Sequence, residues 1–532
     1  MMAAPAIAGS PQLLRANVRY DGRMLAPWAL LTTLLSASSM LYPLIFPSDQ
    51  DKQAFAGAVG ANPAMAIIFG PAFDLSTTDG FNAWRSLALG GLIAALGVIF
   101  AITRATRAQE DSGQAELLAS GVMGRASRLL AAVWMCLVFA IVLGLLTGLV
   151  TVLLGGGWNA TMLLAATMAA TAWMFTGVAA VTAQLGSDAR TANSLAVATL
   201  GVLFIGRGVS YALDTPDWVI WINPLGWMTE TKPAVDNNWW PLLLAVALTV
   251  VLLAIAFILQ SRREFGAGAI DPRPGPASGK TRSTWRLALR TNRGPFFSWA
   301  VAFVALGFVF GYLATSVNDI FGSDPAIQQI LAAGAASPDD LVSAFLVTIL
   351  SMVGILASIP GVQTMLKVRS EEMEDRLEPL IATATTRPRY FLSNVLVALG
   401  APAIYMLIAG TLIGWLAGTA DIGVTFSDVL LQATATVPAV WTVIALAVAV
   451  VGARPQVSLA AWIGVLLSFG LTILGPTFNL WDWVLAISPF WHVPNVTDPN
   501  ADWWGLLWIS LVTILFLVIG FAGFRRRDLA RQ

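Results

Sequence analysis

A helix needs roughly 20 apolar residues to cross the hydrocarbon core of a bilayer. This chain carries twelve runs of that kind. They lie near 24–46, 84–103, 128–153, 160–183, 194–213 and 240–260, then near 295–315, 342–366, 391–417, 428–452, 458–477 and 504–524. Lipid offers backbone groups no hydrogen bonds, so long apolar runs of this kind can cross it only as helices. The expected fold is therefore an all-α membrane protein of twelve transmembrane helices. Charge supports this, because a soluble domain is about 25% charged and this chain is 11% charged.

The distribution of charge predicts the orientation. Arg15, Arg19 and Arg23 precede span 1; Arg104, Arg107, Arg125 and Arg128 follow span 2; Arg190 follows span 4; and eight basic residues fall between Arg262 and Arg293. Lys367, Arg369, Arg376, Arg387, Arg389, Arg454 and Arg525 to Arg527 continue the pattern. Loops of the other parity carry little basic charge beyond Lys52, Arg85 and Lys232. The positive-inside rule then places both termini in the cytoplasm of a multi-pass protein of the cell (inner or plasma) membrane. No cleavable signal peptide is expected, since the apolar stretch before Arg15 is short.

The chain also repeats itself. Arg107, Glu110, Glu116, Leu118, Arg125 and Leu130 recur 262 residues later as Arg369, Glu372, Glu378, Leu380, Arg387 and Leu392. Pro63 recurs as Pro325, Asp217-Trp218 as Asp482-Trp483, Pro224 as Pro489, Trp239-Trp240 as Trp503-Trp504, and Arg262-Arg263-Glu264 as Arg526-Arg527-Asp528. Six spans is an even number, so two parallel six-helix repeats are expected, 1–265 and 283–532, joined by a cytoplasmic linker at 266–282. An amphipathic segment precedes each half. Leu14 and Val18 lie beside Arg15 and Arg19, and Trp285 and Leu289 beside Arg286 and Arg290, the pattern of an interfacial helix.

Several chemistries are excluded. One Cys and one His give neither a disulfide framework nor a His/Cys metal site, and zero net charge gives no field for nucleic acid. The linker tripeptide Gly279-Lys280-Thr281 is not a P-loop, because position 274, where that loop needs glycine, is Pro274. The spans hold almost no ionisable residue. Arg207 is the exception, and its counterpart near Leu471 is apolar. Two roles are open for it: pairing or snorkelling with an outer carboxylate (Asp214, Asp217 or Glu230), or a place in a translocation path. A proton-coupled secondary multidrug transporter, the alternative class, needs a titratable group in the membrane, and none is evident. A membrane transferase using Asp49 and Asp51 or Asp339 and Asp340 is a weaker third class, since neither pair is repeated. No catalytic residues are expected. Energy is then expected to enter through the repeated loops, from outside the membrane.

The loop Leu377-Glu378-Pro379-Leu380-Ile381-Ala382-Thr383, preceded by acidic residues and followed by Arg387, resembles the coupling loop of ABC-2 type transporter permeases. Trp221-Ile222-Asn223-Pro224-Leu225-Gly226-Trp227 and Ile487-Ser488-Pro489-Phe490-Trp491 resemble the family's outer segments before the last span of each half. The fused halves are similar to permeases that export polyketide antibiotics or multiple drugs. The resemblance implies a permease subunit of an ATP-driven exporter for hydrophobic or amphipathic compounds. Two copies of a separate ATP-binding protein would carry ATP and Mg, with no cofactor in this chain. Arg107, Glu110, Glu116, Leu118 and Arg125, with Arg369, Glu372, Glu378, Leu380 and Arg387, would couple to those subunits. Spans 1, 2, 5, 7, 8 and 11 would line a path carrying Ser36, Ser39, Arg207 and Ser468, also near Ser38. Trp221, Pro224, Trp227, Pro489 and Trp491 would form an outer gate. The first loop departs from the pattern: Gly113, Gln114 and Leu117 stand where the second has Asp375, Arg376 and Pro379, so unequal coupling is expected.

Overall fold

A computed structural model describes residues 7–60, 63–119, 123–213, 215–264, 266, 268–270, 283–315, 338–383, 385–419, 423–474, 481–498 and 501–528. Pro325, Asp214 and the Gly279-Lys280-Thr281 tripeptide lie outside them, as do the side chains of Leu117 and Leu118. The chain divides into two compact units, 1–275 and 276–532. Among the described residues each holds six helices long and apolar enough to span a membrane. In the first these are Gly22–Ile45, Thr78–Asp111, Ser127–Leu153, Trp158–Leu185, Ala189–Ala212 and Pro241–Arg262 (spans 1 to 6). In the second they are Thr284–Tyr312, Phe345–Met373, Arg387–Thr419, Phe426–Ala453, Pro455–Thr472 and Trp504–Arg526 (spans 7 to 12).

Residue size decides which spans are central. Spans 2 and 4 are rich in Gly, Ala and Thr, and small residues let helix backbones approach in lipid. A Cβ on Gly90 would meet Met168 of span 4 at 2.6 Å, and one on Gly97 would meet Trp28 of span 1 at 2.9 Å. Ala94, Ala95, Val98, Met168, Ala172 and Phe175 accordingly form the centre of the first core. Span 6, rich in Leu and Val, stays peripheral, with Leu243, Val250, Val251 and Ile258 exposed as a lipid-facing surface. The second unit follows suit, with a core of Val353, Ala357, Ala409, Ala433, Val440 and Ile444 from spans 8, 9 and 10.

Three features differ from the expected pattern. First, the amphipathic segment Ser10–Tyr20 is a separate helix, ending at Asp21, whose carboxylate takes Arg104 Nε at 2.7 Å. Its expected counterpart in the second unit is continuous with span 7, a 32-residue helix from Thr284 to Thr315 that runs through Pro295. Lys367 Nζ holds that helix instead, donating to the Thr291 carbonyl at 3.0 Å. Second, span 5 is one helix, but span 11 begins as a 3-10 segment at Pro455, bends at Val457, and ends in a π-helical turn at Gly470–Leu474. Third, the loop between spans 1 and 2 contains helices Asp49–Gly60 and Pro63–Phe69. They close on an aromatic cluster in which Tyr42 stacks on Phe81 at 4.3 Å and donates its hydroxyl to the Leu75 carbonyl at 2.6 Å.

Candidate functional site

Span 2 is 34 residues long, about 50 Å at 1.5 Å per residue, against a hydrocarbon core of about 30 Å. Its last turns therefore project beyond the apolar layer. A π-helical turn at Arg104–Ala108 sets the positions of Arg107, Glu110 and Asp111, and these three residues tie the repeated loop to four spans. Arg107 is fully buried. It donates to the carbonyls of Ala183 and, at 3.4 Å, Gln184. These carbonyls lie in the last turn of span 4, where helix carbonyls lack intrahelical partners and a cation meets the negative end of the helix dipole; that of Gln184 also accepts from Ala269 N–H at 3.1 Å. Glu110 is a hub: Arg107 Nη1 donates to it at 2.8 Å, Arg263 Nη2 and Nη1 at 2.7 and 3.1 Å, and Arg128 through Nη2. Its side chain is 3% exposed. Glu110 thus joins the start of span 3 to the end of span 6. Asp111 accepts from Ala189 N–H at 2.8 Å, at the start of span 5.

The second unit places a buried carboxylate at the matched position. Glu372 takes Arg527 in a two-pronged pair, at 2.7 Å through Nη2, with Arg369 Nη1 at 3.3 Å. Arg527 Nε also donates to the Gly452 carbonyl at 3.0 Å, at the end of span 10. Here the arginine from span 12 closes the neighbouring helix end, the task Arg107 has in the first unit. Tyr390 stands where the first unit has Arg128 and donates its hydroxyl to Glu371. Arg387 is half-buried and donates to the Arg527 carbonyl at 3.0 Å.

Past these roots the loops turn to solvent. Gly113 (φ 73°) and Asp375 (φ 55°) end the helices of spans 2 and 8 in the same left-handed conformation. Glycine adopts it freely and aspartate tolerates it, so the Gly113/Asp375 difference leaves the turn intact. Short helices follow, Gln114–Ala119 and Glu378–Ile381. Ala115 and Leu377 are buried, Leu380 and Ile381 pack on the second core, and Glu116, Arg125, Glu378 and Pro379 are exposed. The ten candidate loop residues therefore separate. Arg107, Glu110, Arg369 and Glu372 are buried anchors, while Glu116, Arg125 and Glu378 form surface.

Asp188 caps span 5 beside this site, accepting from Thr191 N–H at 2.8 Å and Thr191 Oγ1 at 3.0 Å. Burial alone would raise its carboxyl pKa. Hydrogen bonds from the Thr191 backbone and side chain, from Ser187 and from the Arg190 backbone outweigh this and hold it below the ordinary 3.8. A depressed carboxyl contributes stability above its unfolded value, and loses it as pH falls through the folded one. Asp188→Ala is expected to cost about 1 kcal/mol. The gap in thermal midpoint between Asp188→Ala and the parent chain should be full at neutral pH and shrink below about pH 4. A gap independent of pH would dismiss the charged cap.

The other candidate residues lie within the units. Arg207 is 2% exposed. It donates to the Ile68 and Phe69 carbonyls at 3.0 and 3.5 Å and to the Thr229 hydroxyl, Oγ1, at 3.4 Å, with Phe204 beneath it at 5.1 Å. Among the described residues its bonds go to the end of helix Pro63–Phe69 and to Thr229, not to the carboxylates considered from sequence. Gly70, at φ 90°, makes room, since a Cβ there would lie 2.8 Å from Arg207 Nη1. Ser36 is buried with Asn82 and Thr151 at 3.1 and 3.0 Å. Ser39 bonds the Leu35 carbonyl at 3.3 Å, and Ser468 is buried in span 11.

At the opposite end, Asn223 Oδ1 accepts from Leu225 N–H at 2.9 Å, and Ser488 Oγ from Phe490 N–H at 3.3 Å. These side chains start the short helical segments at Pro224 and Pro489. Trp221 stacks on Trp240 at 5.0 Å and accepts from Trp227 Nε1 at 2.6 Å through its carbonyl, while Trp491 is exposed. Sequence reasoning missed Arg263, Arg527 and Arg128 as partners of the anchors, and Tyr390 as the partner of the adjoining Glu371. The recurring triplet ending each unit's last span was the available signal.

The family described as the C-terminal domain of the multidrug efflux system permease Rv1217c matches residues 52–259 and 282–525 of this chain. The multidrug efflux system permease protein Rv1217c of Mycobacterium tuberculosis (strain ATCC 25618 / H37Rv) is 32% identical over 527 residues. That alignment covers 98% of this chain and 95% of the relative.

Proposed function

We infer the function of a chain that belongs to the multidrug efflux system permease family of Rv1217c. It is a multi-pass membrane protein, and the proposed activity is drug export across the cell membrane. The finer proposal is an ABC-2 type permease of two parallel six-helix repeats, with termini and repeated loops in the cytoplasm. Two copies of a separate ATP-binding protein dock on the loops and hydrolyse ATP with Mg. The cargo is hydrophobic or amphipathic, in keeping with spans that hold little charge.

One observation carries the mechanism. Each loop presents an exposed glutamate, Glu116 or Glu378, a few residues beyond a buried carboxylate, Glu110 or Glu372, bonded to the last span of its unit. A force on the exposed segment passes through paired, buried charges to several helix ends at once, with little slack. The segment Gln114–Ala119 and its counterpart Glu378–Ile381 are the contact surface. Arg107, Glu110, Arg369 and Glu372 are positioning residues that act through the helices, and Arg125 and Arg387 flank the contact. Ser36, Ser39, Arg207 and Ser468 border the proposed path, and the Trp221 and Trp491 segments gate its outer end.

Charge reversal at the surface tests this. Glu116→Lys and Glu378→Lys should each lower co-purification of the ATP-binding subunit on the order of tenfold, with thermal midpoints shifted by no more than about 3 °C, since both sites are exposed and an exposed charge contributes at most about 1 kcal/mol. The parent chain should bind two copies. Undiminished association in both variants would remove the docking proposal.

A further inference from the structure

We propose that the first unit carries a binding site for the phosphate of an anionic lipid headgroup. Between the start of span 3 and the end of span 6 lies a pocket of about 300 Å³, within the size range of small-ligand sites. Its walls include Met123, Gly124, Arg125, Arg128, Gln260 and Arg263, with Glu264 on one side. On the wall are Arg125, Arg128, Arg263 and Glu264, and behind it Arg107 and Glu110, with Asp111 turned to Ala189 N–H. Positive charge is in excess. Arg125 supplies it most directly. It is exposed, belongs to none of the ion pairs of the described residues, and is positioned by Gln260 Nε2, which donates to its carbonyl at 2.8 Å.

The depth of the pocket selects the ligand. Gly124 N–H and Ser127 Oγ both donate to the Ala8 carbonyl, at 3.0 and 2.6 Å. This pins the wall to the chain entering the amphipathic helix Ser10–Tyr20, whose Arg15 and Arg19 suit the headgroup layer. An arginine-lined pocket between helices at that level meets lipid phosphates before any dissolved anion. The matched residues of the second unit are Arg387, Tyr390, Phe524 and Arg527. There Tyr390 and Phe524 replace Arg128 and Gln260, and Arg387 donates to the Arg527 carbonyl. The proposed site thus belongs to the first unit alone. It rests on the proposed membrane orientation only for its leaflet, and needs no ATP-binding subunit.

The test is native mass spectrometry of the delipidated full chain titrated with phosphatidylglycerol, phosphatidylcholine or inorganic phosphate. Arg125→Gln removes a pocket charge, and Arg454→Gln removes one exposed charge elsewhere. The parent chain and Arg454→Gln should each retain one phosphatidylglycerol, held roughly fivefold more weakly by Arg125→Gln, with all three melting alike. Equal retention by Arg125→Gln and the parent would overturn the site. So would an equal loss in Arg454→Gln, retention of phosphatidylcholine as firmly as phosphatidylglycerol, or displacement of the lipid by millimolar phosphate, which would indicate a free-anion site. A parent chain that binds no ATP-binding subunit yet retains the lipid would fault the transport proposal and leave this one standing.

Discussion

Glu110→Ala should destabilise the first unit by about 3–5 kcal/mol, the cost of breaking a buried ion pair from one side. Three arginines converge on this carboxylate, and it is 3% exposed. Removing it leaves Arg107, Arg128 and Arg263 repelling one another with the carboxylate that held them together gone. The expected readout is a thermal midpoint lower by roughly 10 °C and loss of a monodisperse peak in detergent. Adding Arg263→Met should recover part of the loss, because it removes one stranded charge and restores apolar volume. A midpoint within 2 °C of the parent would mean that solvent already screens the cluster. Glu116→Lys should behave differently. Both residues recur at the same offset, yet one change should act on folding and the other on association.

That contrast marks where the sequence was legible. Apolar run length identifies all twelve spans, since the requirement is one of length and composition alone. Their ends are less accurate where charge enters. Spans 2 and 8 continue to Asp111 and Met373, because Arg, Gln and Glu are good helix formers and Arg107 and Arg369 pair with acids one turn on. The loop repeat was visible as six matched residues, but not its division into anchors and surface. Glu110 is buried by Arg263, 153 positions away, and local periodicity says nothing of so distant a partner. Arg207 was legible as a costly charge, but its partners are backbone carbonyls of Ile68 and Phe69, which no side-chain pattern announces. The helices between residues 49 and 69 escaped for a related reason. They are short, the first is mixed in polarity and the second has too few apolar residues to span, and aromatic contacts with spans 1 and 2 hold them rather than their own propensity.

Gly452→Val should prevent the second unit from closing. A Cβ on Gly452 would lie 2.2 Å from the Gly520 carbonyl oxygen and 2.7 Å from its carbonyl carbon, and one on Gly520 would lie 2.6 Å from the Val448 carbonyl oxygen. The obstacles are backbone atoms of two long helices, so no rotamer change can relieve them. Spans 10 and 12 must separate instead. Separation would also disturb the bond from Arg527 Nε to the Gly452 carbonyl, and with it the grip on Glu372, so packing strain and electrostatic loss are coupled. Overpacking alone costs about 1–3 kcal/mol, and the stranded carboxylate adds to it. The internal comparison is Gly400→Ala in span 9. It would meet nothing within 4 Å, and should leave the midpoint unchanged or raise it through helix propensity, by about 1 kcal/mol at most. If Gly452→Val and Gly400→Ala purify with equal yield and midpoint, close backbone contact between spans 10 and 12 is not what holds Arg527 over Glu372.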